Sequence, residues 1–207
     1  MSDLNSIMQD DYFDESESFS GRLPEGIYPA NITGVEVKPD VTVKSRVQSG
    51  KKHLCDVYTL SYQIAPEASK SDFEVDGKKV NGATFIGKTV KGKGIFKFKS
   101  VTEDQAKNGF IPNAGGNKGF KMFLDSVGFN CQTKEITDIR GTRSVTILPD
   151  LADSDVNGRP VLVTVSHREW KGREGDTMIA VEVSKTKEWE GGEPLKVETN
   201  TDDDIPF

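Results

Sequence analysis

Pro160-Val-Leu-Val-Thr-Val-Ser-His-Arg-Glu-Trp170 and Thr177-Met-Ile-Ala-Val-Glu-Val-Ser-Lys-Thr-Lys187 decide the fold. Val161, Val163 and Val165 alternate with other residues, as do Ile179, Val181 and Val183. A period of two makes each segment a strand with one buried face. Lys171-Gly-Arg-Glu-Gly-Asp176 joins them, so the pair reads as a hairpin. Parity then places Thr164, Ser166, Arg168 and Trp170 on the face opposite the valines.

The same pattern extends upstream. Ordered structure begins at Gly26, with a strand to about Val37, and residues 38–52, with Pro39 and Gly50, read as a long polar loop. Tyr58, Leu60, Tyr62 and Ile64 share one face of a second strand. Asp76-Gly77 between alternating residues from Phe73 to Val80 signals a hairpin. Residues 83–100 form a further strand region, broken by Gly87, Gly92 and Gly94 and ending in Ile95-Phe-Lys-Phe-Lys99. Phe120, Phe123, Leu124 and Val127 fall at i, i+3, i+4 and i+7, which predicts a helix over residues 118–127 stopped by Gly128. Arg143 to Leu148 adds a short strand before an acidic loop at residues 149–158. Three strand regions, a helix and two strands is the element order of an OB-fold, a five-stranded Greek-key barrel with one helix. The expected class is mostly β, with an inserted hairpin and loops.

Charge divides the chain differently. The net charge is −6, yet residues 1–20 hold six acids and no Lys or Arg. Residues 188–207 hold seven acids against Lys196, so residues 21–187 carry 26 bases and 20 acids, a net of +6. Three regions follow: an acidic, disordered arm at 1–20, a basic folded domain at 21–187, and an acidic linker and tail at 188–207. A basic body attracts polyanions, with which tethered acidic arms compete. Met1 to Asp14 is polar and acidic, unlike a secretory signal, and no apolar run reaches the length of a membrane span. Cys55 and Cys131 stand apart, as do His53 and His167, so no disulfide framework, metal site or catalytic constellation is expected. A reducing cytoplasm is the expected setting. No cofactor is expected and the chain reads as no enzyme.

Gly82-Ala-Thr-Phe-Ile-Gly-Lys-Thr89 satisfies the P-loop pattern, but a P-loop needs a buried strand before it and a helix after it. A polar turn precedes this string, and Val90-Lys-Gly-Lys-Gly-Ile-Phe-Lys-Phe98 alternates like a strand. Nucleotide hydrolysis is rejected on that ground. The cations and rings of residues 88–99 instead suit a single-strand binder, which combines a cationic groove with aromatic stacking. If Lys97 and Lys99 face the ligand, alternation sends Phe96 and Phe98 toward the core. The expected DNA contacts are Lys88, Lys91, Lys93, Lys97 and Lys99, joined by Arg168, Trp170, Lys171 and Arg173. Trp170 is the best stacking ring, the alternative being a cover over the barrel's end. Tyr58 and Tyr62 belong to the core.

The chain ends Asp202-Asp203-Asp204-Ile205-Pro206-Phe207. Three carboxylates and a proline keep such a segment extended, while Phe207 offers a ring and a carboxylate together. That chemistry suits a peptide ligand with a ring for an apolar pocket and acids for a basic ridge. The six residues closely resemble the protein-interaction tail of bacterial single-stranded-DNA-binding proteins. Leu23-Pro-Glu-Gly-Ile-Tyr-Pro-Ala30 and Asn157-Gly-Arg-Pro-Val-Leu-Val-Thr-Val165 resemble OB-fold single-strand binders encoded by bacteriophages. The body is longer than the compact bacterial domain and lacks its glutamine- or glycine-rich linker, which favours a monomer or homodimer over a tetramer. The resemblance implies sequence-independent coating of single-stranded DNA in replication, recombination and repair within a bacterial host cell. It also implies recruitment of host or phage enzymes of those pathways by the tail. The competing expectation is a tail mimic that hijacks or blocks such enzymes and never binds DNA.

Overall fold

The computed structural model describes residues 22–192 apart from residues 76, 114, 140, 173 and 174. The 1–20 arm, Arg173 and the Asp202 to Phe207 segment lie outside the described residues.

The chain is mostly β. Its principal sheet contains β1 (Gly26–Lys44), β2 (Lys52–Ile64), β5 (Thr89–Lys91), β6 (Ile95–Phe98), β9 (Pro160–Lys171) and β10 (Thr177–Glu188). The order is β10-β9-β1-β2-β5, and β6 continues along the same edge of β2. Among the described residues no continuous ladder closes the sheet into a barrel. Its ends touch at one parallel bridge, Gly92 to Val183, where the Lys93 amide donates to the Val183 carbonyl at 3.3 Å. Two hairpins stand outside it: β3 (Asp72–Val75) with β4 (Lys78–Asn81), and β7 (Thr133–Asp138) with β8 (Gly141–Thr146). The helices are α1 (Glu103–Lys107), α2 (Lys118–Ser126) and α3 (Asp153–Val156).

The inner face of the sheet carries the alternating residues expected. Tyr28, Ala30 and Ile32 of β1, Tyr58, Leu60, Tyr62 and Ile64 of β2, and Val161, Val163 and Val165 of β9 are all buried. Burial pushes the Tyr62 hydroxyl up to about 12, and it bonds Thr186 at 2.9 Å. Helix α2 supplies Phe120, Phe123 and Leu124 to this core, and Gly128, at φ 69°, ends it as expected. Phe73 of β3 stacks on Tyr28 at 4.1 Å, with Phe85 edge-on to both.

One expectation needs correction, and one strand was not foreseen. Residues 38–52 are largely not a loop: β1 runs on to Lys44, and Val41 to Lys44 pair with Cys55 to Lys52. A bulge after Lys38 breaks the alternation that would have revealed the strand. There Asp40 adopts φ 55°, a region Asp tolerates, and its amide donates to Asp56 Oδ1 at 3.0 Å. Strand β7 was also hidden, because Thr133 to Asp138 carries a single large apolar side chain, Ile136.

The P-loop-like string has a packing explanation. Residues 82–85 form a 3-10 turn and the chain then enters β5, with no helix after Lys88-Thr89. A Cβ on Gly82 would collide with the Ala68 carbonyl oxygen, and Gly87 turns at φ 79°. These glycines serve close approach and a turn.

Candidate nucleic-acid interface

On β2 every second residue faces away from the core, and register carries that parity to its neighbours. Phe96 is opposite Val57 and Phe98 opposite Cys55, so both rings belong to the outer face. Their centroids lie 6.1 Å apart at an interplanar angle of 24°. Phe96 is 40% exposed. The alternation predicted between lysines and phenylalanines holds, but the sides are exchanged, so Phe96 does not pack in the core.

Beside the rings, a groove of about 530 Å³ runs to the tip of the β1–β2 hairpin, lined by Val43, Val47, His53, Phe96, Phe98 and Pro112. His53 meets Phe98 edge-on at 5.7 Å, while its Nδ1 donates to the Ile111 carbonyl at 2.9 Å. Asn117 brackets Phe98 from behind. Its Oδ1 accepts from the Phe98 amide at 2.7 Å and its Nδ2 donates to the Phe98 carbonyl at 2.9 Å, as a neighbouring strand would. A Cβ on Gly116 would strike the Phe98 ring at 2.5 Å. The ring is therefore held from several sides while its partner Phe96 stays open.

Lys44 and Arg46 rim the groove. Among the described residues neither has an acid within ion-pair distance. Further along the outer face, Glu36 stands between Lys38 at 3.3 Å and Lys91 at 3.4 Å. These two lysines hold the Glu36 carboxyl below its ordinary range. Glu182 stands between Lys93 at 3.2 Å and Arg168 at 3.8 Å. The Arg168 guanidinium lies 5.7 Å from the Trp170 ring, and Trp170 and its cross-strand partner Met178 are both exposed. Lys171 is also exposed, at the end of β9. Lys88 lies 5.4 Å from the Phe85 ring, at the far end of β5 from the phenylalanines.

Comparison with protein-family models, with curated proteins and with solved structures returns no match.

Of the residues expected to contact DNA, Lys91, Lys93, Arg168 and Trp170 reach this outer surface. Lys97 and Lys99 do not. Lys97 is 17% exposed, pairs with Asp150 at 2.5 Å and lies 5.8 Å from the Phe120 ring. Lys99 bridges Asp40 at 2.8 Å and Asp56 at 2.9 Å, raising its own pKa, the hydrogen bond to Asp40 being the largest cause. Burial, then Asp150, pushes the Tyr58 hydroxyl up to about 12, and it donates to Asp150 at 3.1 Å. These groups tie the extended part of the β1–β2 hairpin to the core side.

Lys99→Met leaves the mostly buried Asp56 without its cation. The expected loss is about 1–2 kcal/mol, discounted from the buried-pair range because Asp40 and Lys99 are partly solvated. Oligonucleotide affinity should stay within about twofold, because Lys99 faces away from the outer surface. A tenfold loss of affinity at unchanged melting temperature returns Lys99 to the interface. Acid acts on the neighbouring pair in a defined direction. Lys97 lowers the Asp150 pKa, so Asp150 contributes stability above its unfolded value of about 3.9 and loses it as pH falls further.

Phe96, Phe98, His53, Lys38, Lys44 and Arg46 are candidate site residues that the sequence reading did not select. The available signal was the run of bases at residues 38–52 flanking Val41 and Val43.

Proposed function

We propose that this chain binds single-stranded DNA without sequence preference, on the outer face of β1, β2, β5 and β6. The observation that carries the reading is the stacked Phe96–Phe98 pair, with Phe96 exposed on the outer face, beside a groove rimmed by Lys44 and Arg46. Every base has a π-face, so rings beside a cationic track bind strands irrespective of sequence. The pairing pattern supports an OB-fold reading in which β5 and β6 are one interrupted third strand. On that reading β1 pairs β2 and β9, β9 pairs β10, and the Gly92–Val183 bridge stands at the closing seam. By the resemblance of its sequence, the segment Asp202 to Phe207 recruits replication and repair enzymes.

Titration of the full chain with oligo-dT and with duplex, followed by Trp170 and Trp189 fluorescence, tests the reading. Affinity for oligo-dT should exceed that for duplex and fall with salt, with a log–log slope of about −0.7 per phosphate contacted. Absence of oligo-dT binding at low salt sinks it and leaves the tail mimic standing. Removal of residues 202–207 should preserve DNA binding while abolishing enzyme recruitment.

A further inference from the structure

We propose that Glu36 and Glu182 act as resident phosphate surrogates on the DNA-binding face and limit its affinity. This inference rests on the function proposed above.

Glu36 lies on β1 and Lys91 on β5, with β2 between them. Register places Glu36 opposite Thr59, and Lys91 opposite Ser61. Their ion pair therefore crosses the outer face of β2 over two short side chains. Gly34, also opposite Ser61, keeps that floor low, and a Cβ on Gly94 would strike Val57 Cγ1 at 2.7 Å. A strand crossing from the phenylalanines toward β10 would place its phosphates along this path.

Glu182 repeats the arrangement at the seam. Its side chain is 13% exposed and pairs with Lys93 and Arg168, yet Oε1 makes no hydrogen bond. The Lys93 ammonium is near enough for Coulomb attraction but is not aligned as a donor. A covered carboxylate oxygen without a hydrogen bond is costly, so this anion is poorly accommodated. Each acid thus joins two cations from separate segments of the chain, Lys38 of β1 with Lys91 of β5 and Lys93 of the β5–β6 connection with Arg168 of β9, as one phosphate would. Exposed ion pairs are weak because water screens them, so a phosphate can displace Glu36 readily. A polyanion that supplies several phosphates in series displaces both acids, whereas a lone anion gains little.

Two roles make opposite predictions. If the acids only hold the lysines and arginine in place, removing their charge weakens DNA binding. If they occupy phosphate positions, removing it tightens binding. The test measures anisotropy of fluorescein-labelled oligo-dT with the full chain, comparing wild type, Glu36→Gln, Glu182→Gln and the double variant at several salt concentrations. Each single variant should bind about three- to tenfold tighter at low salt. The log–log slope should steepen, because a displaced carboxylate regains its own counterion and reduces net ion release in the wild type. Glu36 is half-exposed, so its amide variant keeps the fold even where Glu182→Gln disturbs the seam. Unchanged or weaker binding by Glu36→Gln, with the wild type binding normally, overturns the inference alone. No binding by any of the four proteins removes the proposed function, and this inference with it.

Discussion

Replacing Phe96 and Phe98 together with alanine is expected to weaken oligo-dT binding by about thirtyfold or more. Base–aromatic stacking contributes roughly 1–3 kcal/mol per base, and a factor of ten corresponds to about 1.4 kcal/mol. Two rings therefore account for at least about 2 kcal/mol. Phe96→Ala alone should cost about tenfold, with little loss of stability because the ring is well exposed. Alanine at position 98 retains both backbone bonds to Asn117, so the edge of β6 survives the substitution. The salt slope separates stacking from electrostatics. No phosphate contact is removed, so the log–log slope should match that of the wild type while the curve shifts to weaker affinity. Arg46→Ala should do the reverse, making the slope shallower with a smaller loss. A double phenylalanine variant that binds within threefold of wild type moves the interface elsewhere, with the Trp170 end of β9 next in line.

The parts of the molecule legible in the sequence were those where one physical rule acts alone. Val161, Val163 and Val165 alternate without interruption, and the strand, its hairpin partner and its buried face were all foreseen. Phe120, Phe123, Leu124 and Val127 fix the helix in the same way. Where a bulge intervenes, period-two reading fails: one extra residue at Asp40 reverses the face of everything that follows it. The candidate site was lost through a subtler ambiguity. Ile95-Phe-Lys-Phe-Lys99 alternates apolar and charged residues, and burial of the apolar set is the default expectation. Parity says that lysines and phenylalanines part company, but not which set meets water. The deciding groups are distant in sequence. Asp150, Asp40 and Asp56 accept the lysines on one side, while the Asn117 amide and the hairpin tip frame Phe98 on the other. Fifty-three positions separate Lys97 from its partner Asp150, a distance over which sequence periodicity carries no information.

Phe120→Ala should be the most destabilising of the substitutions considered, and should weaken DNA binding although the ring touches no ligand. Phe120 is fully buried, its ring lies 5.1 Å from Tyr58, and Lys97 Nζ lies 5.8 Å from its centroid. Truncation removes that apolar contact and leaves a cavity, a combination that costs about 3–5 kcal/mol. For a chain of this size a kilocalorie shifts the melting temperature by about 2–4 °C, so a fall of roughly 10 °C is expected. Phe120→Leu retains most of the volume and should recover more than half of the loss. The consequence for binding follows from chain connectivity. Asn117 immediately precedes α2, and its side chain holds both backbone groups of Phe98. When α2 loses its anchor, that bracket loosens and the stacking ring gains freedom that must be lost again on binding. Affinity should then drop several-fold at temperatures where the variant is still folded. Asn117→Ala should reproduce the affinity loss with a smaller change in melting temperature. If Phe120→Ala lowers stability as expected but leaves affinity untouched, the Asn117 bracket is structural only and Phe98 is held by the groove itself.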